Sequence, residues 1–162
     1  MSERKQAPDI TLKSVVSNRQ VNLRKPGAVL VLVMPTQATT EAVNPLRAAL
    51  RERYPDPAKV VIASVVDLRQ VPRLMRKMGE SALSKRYEEV VAGLQPGQDP
   101  AQYVVMCPDW NGEVPGKLGL GDLGSELGVA VIAADGTIAG TYRGMEPLET
   151  TMEVVAGLAT SD

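Results

Sequence analysis

The chain has one cysteine, Cys107, and no histidine, which narrows its covalent chemistry before any fold is considered. Thiol chemistry would have to run through Cys107, in "VVMCPDW", and a thiolate needs an accessible, electropositive setting to exist near neutral pH. Its sequence neighbours are an apolar run and Asp109, which raise a thiol pKa rather than lower it. A buried, inert cysteine is therefore expected. The sharper alternative is a redox sensor or the single cysteine of a one-Cys peroxidase. An internal disulfide is impossible, and Ser-His-Asp and Cys-His nucleophiles are excluded. The nitrogen and sulfur ligands of zinc, copper, haem and iron-sulfur centres are missing, and no calcium-loop pattern occurs. Neither a metal nor a cofactor is expected.

Other residues carry weaker signals. The stretch "PTQATTE" runs from an apolar strand into a helix start. Unpaired backbone N–H groups there, with Pro35, Thr36, Gln37, Thr39 and Thr40 around them, could hold an anion or a peptide carbonyl, or the threonines could simply cap the helix. Trp110, the sole tryptophan, is a candidate partner anchor or a cover for the sheet edge. Asp67 follows a strand and could reach a cleft, but no mate for acid-base work is evident. "GLGDLG", Gly119 to Gly124, matches a dinucleotide fingerprint literally, yet it precedes a strand instead of following one, and reads as a connecting loop. Arg69, Arg73, Arg76, Lys77, Lys85 and Arg86 lie opposite apolar helical stripes, which is the pattern of a solvated face.

Four short apolar runs, Ala28 to Met34, Val60 to Val66, Tyr103 to Cys107 and Val129 to Ala134, read as strands buried on both faces of a helix-covered sheet. Between the first two, Ala42, Leu46, Ala49 and Leu50 recur at helical spacing, with Thr39 or Thr40 as N-cap. Pro45 falls inside this pattern and predicts a kink. Val71, Leu74, Met75 and Met78 form one later apolar stripe and Leu83, Tyr87, Val90, Val91 and Leu94 another, two helical pieces broken near Gly79. Gln95 to Gln102 reads as a loop. Asp135-Gly136 predicts a hairpin, Pro147 to Leu158 a closing helix, and "DITLKSVVSNRQVNL" a front hairpin turning at Asn18.

At 162 residues the chain is most simply one domain, residues 1 to 162. Eighteen basic and nineteen acidic residues leave a net charge of -1, too little to draw the chain to nucleic acid or an anionic membrane. No run reaches the roughly 18 apolar residues of a membrane span, and "MSERKQAPD" has no apolar segment behind its charges. A cytoplasmic location is expected. Phe is absent, so the core must be built from Val, Leu, Ile, Ala and Met.

The order of these elements, with particular words in them, resembles the thioredoxin-like superfamily, in its branch of peroxiredoxins and thiol-disulfide oxidoreductases. "APDITLKSVVSNRQVNLRKPGAVLVLVM" is similar to that branch's entry "APDFxLxxxxGxxVxLxxxxGKxVLVxFW", and "IAADGTIAGTYRG" to its closing "IDxDGxIxxxxxG" hairpin. "VVIASVVDL" and "DWNGEVPGKLGL" fit between them, so the resemblance spans nearly the whole chain. It implies an α/β domain with a central mixed sheet flanked by helices and an N-terminal β-hairpin.

The resemblance also places the missing chemistry. If Pro45 matches the proline after C-x-x-C, the cysteine positions fall on Gln37 and Thr40. If Pro35 and Thr39 match P-x-x-x-T-x-x-C, the peroxidatic cysteine falls on Ala42. The cis-proline before the closing hairpin would fall at about Leu127. None of these four positions holds the family residue. The expectation is a non-catalytic binding or assembly module that engages a protein partner, or a second copy of itself, through the old substrate groove or a sheet edge. The alternative is a divergent oxidoreductase working through Cys107. A third reading is an anion or small-ligand binder at Thr36 to Thr40.

Overall fold

The computed structural model describes residues 5–36, 39–69, 71–121, 123–124 and 126–159. A short hairpin, β1 (Thr11–Lys13) and β2 (Gln20–Asn22), opens the chain, and β3 (Val29–Met34) leads to α1 (Asn44–Arg53). Then come β4 (Val60–Asp67), α2 (Arg76–Ala92), the single turn α3 (Pro100–Tyr103), β5 (Val105–Asp109) and the short α4 (Glu113–Lys117). The hairpin β6 (Leu127–Ile132) and β7 (Ile138–Gly144) and the helix α5 (Leu148–Ala159) finish it. The main sheet has the order β5-β4-β3-β6-β7. Strands β3, β4 and β5 run parallel, while β6 and β7 are antiparallel additions. This is the mixed sheet with a separate N-terminal hairpin that the sequence order implies. No helix among the described residues is long and apolar enough to cross a membrane.

The central strands are apolar throughout because both faces are covered. On one face Leu30, Leu32, Val61, Ala63, Val105 and Ala130 pack with Leu12 and Val21 of the hairpin and Val114 of α4. On the other, Val31, Val33, Ile62 and Val129 meet Leu46 and Leu50 of α1 and Val155 of α5. A satellite cluster joins Leu83 and Tyr87 of α2 to Val104 and Met106. Each fully buried aliphatic side chain of this kind contributes about 1.5–3 kcal/mol. The outer edge of β5 is not left open: the Val15 N–H donates to the Met106 carbonyl at 2.8 Å, and the Met106 N–H donates to Ser14 Oγ at 3.1 Å. Edge groups paired in this way cannot template a foreign strand.

The Asp135-Gly136 turn forms as expected, with Gly136 at φ +92 and the Thr137 N–H donating to Asp135 Oδ1 at 2.9 Å. A Cβ on Gly136 would sit 2.0 Å from the Arg24 carbonyl oxygen, so both backbone angle and space require glycine there.

Several local expectations are corrected. Pro45 does not kink a helix. A 3₁₀ turn, Thr40–Val43, precedes α1, which starts at Asn44 with Pro45 in its first turn, where a missing N–H costs nothing. The N-cap of α1 is Val43. Gly79 does not break the second helical region: after a 3₁₀ turn at Arg73–Met75, α2 runs through it unbroken. A Cβ there would come within 3.3 Å of the Trp110 ring, which packs close against this glycine. The first apolar stripe is not core, since Leu74, Met75 and Met78 are exposed. Tyr103 belongs to α3 rather than a strand, because Asp99 caps that turn by accepting the Ala101 N–H. The short α4 was not evident from sequence.

Candidate functional site

The thiol comes first. Cys107 sits on β5 opposite Val65, its side chain in the apolar layer beneath the N-terminal hairpin, with 1 % of its surface exposed. Burial pushes its thiol up from 9.0 to about 12. At neutral pH the thiol is therefore held protonated, and thiolate is the form that attacks disulfides and peroxides.

The positions to which the resemblance assigns the missing cysteines lie elsewhere, where β3 gives way to α1. Pro35 and Thr36 are buried, and Thr39 is 1 % exposed. The Thr36 N–H donates to Thr39 Oγ1 at 2.8 Å and the Thr39 N–H donates to the Thr36 carbonyl at 3.1 Å. Thr39 therefore closes a turn back onto Thr36 and makes no side-chain cap to the following turn. Ala42 lies in that turn, half-buried, its N–H bound to the Thr39 carbonyl at 3.0 Å. Gln37 and the side chain of Thr40 lie outside the described residues. Leu127 begins β6 fully buried. The pairing of Met34 with Gly128 brings it to the end of β3 from which Pro35 leaves the sheet. No cis peptide bond occurs among the described residues.

A cleft runs from this end along the sheet, between α1 and α2 and over β4 and β5. Its larger chamber, about 520 Å³, is bounded by Arg47 and Arg51 of α1, Val90 of α2, and Ile62, Ser64 and Met106 of the sheet. An adjoining chamber of about 210 Å³ reaches Pro35, Val66, Leu83 and Arg86. Arg47, Ser64 and Met106 belong to both. Arg47 donates to Ser64 Oγ. No carboxylate pairs with Arg47 among the described residues, which is unusual for a charge taken from water. Burial first, and then the like charge of Arg86, pull its guanidinium down to about 10.

Four residues further along α1, Arg51 donates to the Val60 carbonyl at 2.9 Å and lies over the Tyr103 ring at 5.4 Å. Its other terminal nitrogen, Nη2, is buried with no hydrogen-bond partner among the described residues. Burial is also the main cause that lowers its pKa. Arg86 is held at 3.4 Å by Glu89, and both are substantially exposed.

The remaining sequence candidates are dispersed. Asp67 finds a mate in Arg69, at 2.7 Å between Oδ2 and Nη2. Burial would raise the Asp67 carboxyl, but the hydrogen bonds and charge of Arg69 outweigh it and hold the carboxyl below its usual range. Trp110 is half-buried against the start of α2, with Arg76 over its ring at 5.2 Å. Within the glycine-rich loop, Gly119, Gly121 and Gly124 take positive φ and β6 follows directly, so the strand-loop-helix order of a nucleotide site does not arise. Arg86 departs from the solvated face by lining the cleft. Arg47, Arg51 and Ser64 were not singled out from sequence. The only signal for the arginines was their spacing of four on α1, next to the apolar Leu46 and Leu50.

No protein-family model matches the sequence, and no curated protein matches it. Solved structures do. The pneumococcal exposed lipoprotein thioredoxin Etrx1 from Streptococcus pneumoniae superposes with a TM-score of 0.60 at 17% identity, covering 93% of this chain and 100% of that one. A DsbF homologue from Corynebacterium diphtheriae gives 0.62 at 14% identity, over 96% of this chain and 88% of the other. A peroxiredoxin-like protein from Aquifex aeolicus gives 0.54 at 15% identity, over 99% and 87%. The chain has the thioredoxin-like fold of these redox proteins, and its single cysteine, buried on β5, leaves it without an active-site cysteine pair.

Proposed function

We propose that this chain is a binding domain that retains the thioredoxin-like frame without thiol-disulfide or peroxidase chemistry. The observation that supports it is the setting of Cys107: buried, on a strand, in an apolar layer, with its pKa raised to about 12. Thiol exchange needs a lowered pKa and access to the attacking sulfur, and Cys107 has neither. The helix start that would activate a cysteine in a relative instead has Thr36 and Thr39 bonded to each other. In this reading the surface once used for chemistry is free to serve recognition.

Reduction of a protein disulfide by dithiothreitol, and consumption of hydrogen peroxide, test it when the protein is compared with its Cys107→Ala variant. Both proteins should match the protein-free rate. Turnover by the unsubstituted protein that Cys107→Ala abolishes would establish the oxidoreductase alternative in its place.

A further inference from the structure

The cleft between α1 and α2 has the lining of a ligand site and holds a cation, Arg47, with no ion-paired carboxylate among the described residues. Of the five N–H donors of the Arg47 guanidinium, the one used among the described residues goes to Ser64 Oγ. The Ser64 hydroxyl, accepting that bond, keeps its own proton to donate. Arg51 lines the larger chamber and Arg86 the adjoining one, so three guanidinium groups border the cleft. Glu89 pairs with Arg86 and the charge of Asp56 acts on Arg51, while Arg47 has no carboxylate partner among the described residues. Most of the rest of the wall is apolar, from Ile62 and Met106 on the floor to Val90 and Leu94 on α2, with the amides of Asn44, Gln95 and Gln98 also on the lining. Natural sites of this size are mostly apolar with a few converging polar groups that fix orientation.

We infer that this cleft binds a small organic carboxylate with an apolar body, its carboxylate between Arg47 and Ser64 and its body along Ile62, Met106, Val90 and Leu94. A planar guanidinium beside a hydroxyl matches the two oxygens of a carboxylate. A phosphate dianion would call for more donors than this, because Arg51 already spends Nη1 on backbone carbonyls. The apolar wall would have no role with an inorganic anion. The assignment rests on the binding reading above and gives it a ligand class.

Calorimetric titration of the intact protein with decanoate, decanol and inorganic phosphate tests it. Decanoate should saturate at one molecule per chain, decanol should bind much more weakly, and phosphate should not register. Arg47→Met keeps the apolar stem and removes the charge, and should weaken decanoate about 10- to 100-fold, the range for loss of a charged hydrogen bond. Arg86→Gln, at a partly exposed position, should weaken it by about fivefold or less and supplies a second readout if Arg47→Met does not fold. Absence of decanoate binding, equal affinity in Arg47→Met, or Arg47-dependent binding of phosphate in place of decanoate would each overturn the assignment. A failed titration with Cys107 still inert would remove this site and leave the non-redox reading standing, whereas a reactive Cys107 would remove that reading whatever decanoate does.

Discussion

Arg47→Met should stabilise the free protein, because the cation it removes is desolvated and has no ion-pair partner among the described residues. The fall of the guanidinium from 12.5 to about 10 corresponds to about 3 kcal/mol of disfavoured charge. A guanidinium does not lose its proton in a folded protein, so that cost is carried as lost stability rather than lost charge. Arg47 is only partly buried, and relaxation and solvent reduce the figure to roughly 2–3 kcal/mol. Against it stands the bond to Ser64, whose loss costs about 1 kcal/mol. Methionine follows the arginine stem and keeps most of its packing. The net expectation is a gain of about 1–2 kcal/mol, or roughly 2–8 °C in Tm for a chain of this length. Urea denaturation at pH 7 with an unchanged m-value reads it directly. Arg47→Met with Ser64→Ala in the same chain should gain slightly more, since no hydroxyl is then left without its donor. A loss of more than about 1 kcal/mol in Arg47→Met would mean that Arg47 is satisfied in the folded protein, and the argument for an unmet cation in the cleft would fail.

Three further outcomes follow from other parts of the fold. Because the Cys107 thiol rises from 9.0 to about 12 on folding, the unfolded chain binds fewer protons than the native one between those values, so stability is lost as pH rises through that window. The loss should approach about 1.4 kcal/mol per pH unit above pH 9, and the difference between urea curves of the protein and of Cys107→Ala should carry that slope; parallel curves would place the thiol in water. Gly136→Ala forces a side chain into the left-handed region and against the Arg24 carbonyl, and should cost about 2 kcal/mol or more; a neutral change by thermal melting would mean that the turn can move. Asp109 accepts the Glu113 and Val114 N–H groups, both at 3.1 Å, so Asp109→Ala should cost about 1–2 kcal/mol and Asp109→Asn less, as judged by urea midpoints.

What could be read in the sequence follows the strength of each local signal. The strands were legible because β3, β4 and β6 lie inside a covered sheet and must be continuously apolar, and the Asp135-Gly136 turn because its backbone demands glycine. Gly79 misled because a glycine in a helical stretch can be a break or a contact, and only the Trp110 ring on the far side of a long-range packing decides which. Leu74, Met75 and Met78 have the spacing of a buried stripe, but the structure leaves all three exposed, which spacing alone does not reveal. The functional end divides in the same way. The loss of thiols at Gln37, Thr40 and Ala42 is visible in residue identity alone. The cleft is not, because Arg47 and Arg51 read as two charges on the polar side of an amphipathic helix. Their burial depends on α2 packing across from them, and Ser64 becomes a partner only through the parallel pairing of β3 with β4.

The most direct test of a thioredoxin-like domain without thiol chemistry is the reactivity of Cys107 toward a chromogenic disulfide, followed in native buffer and at increasing urea. Modification should be slow in native buffer and should rise in step with the unfolded fraction, as it must if the sulfur is reached only when β5 leaves the core. Rapid, stoichiometric modification of the native protein, with a thiol pKa below the unperturbed value of about 8.5, would contradict it and return Cys107 to the centre of the protein's chemistry.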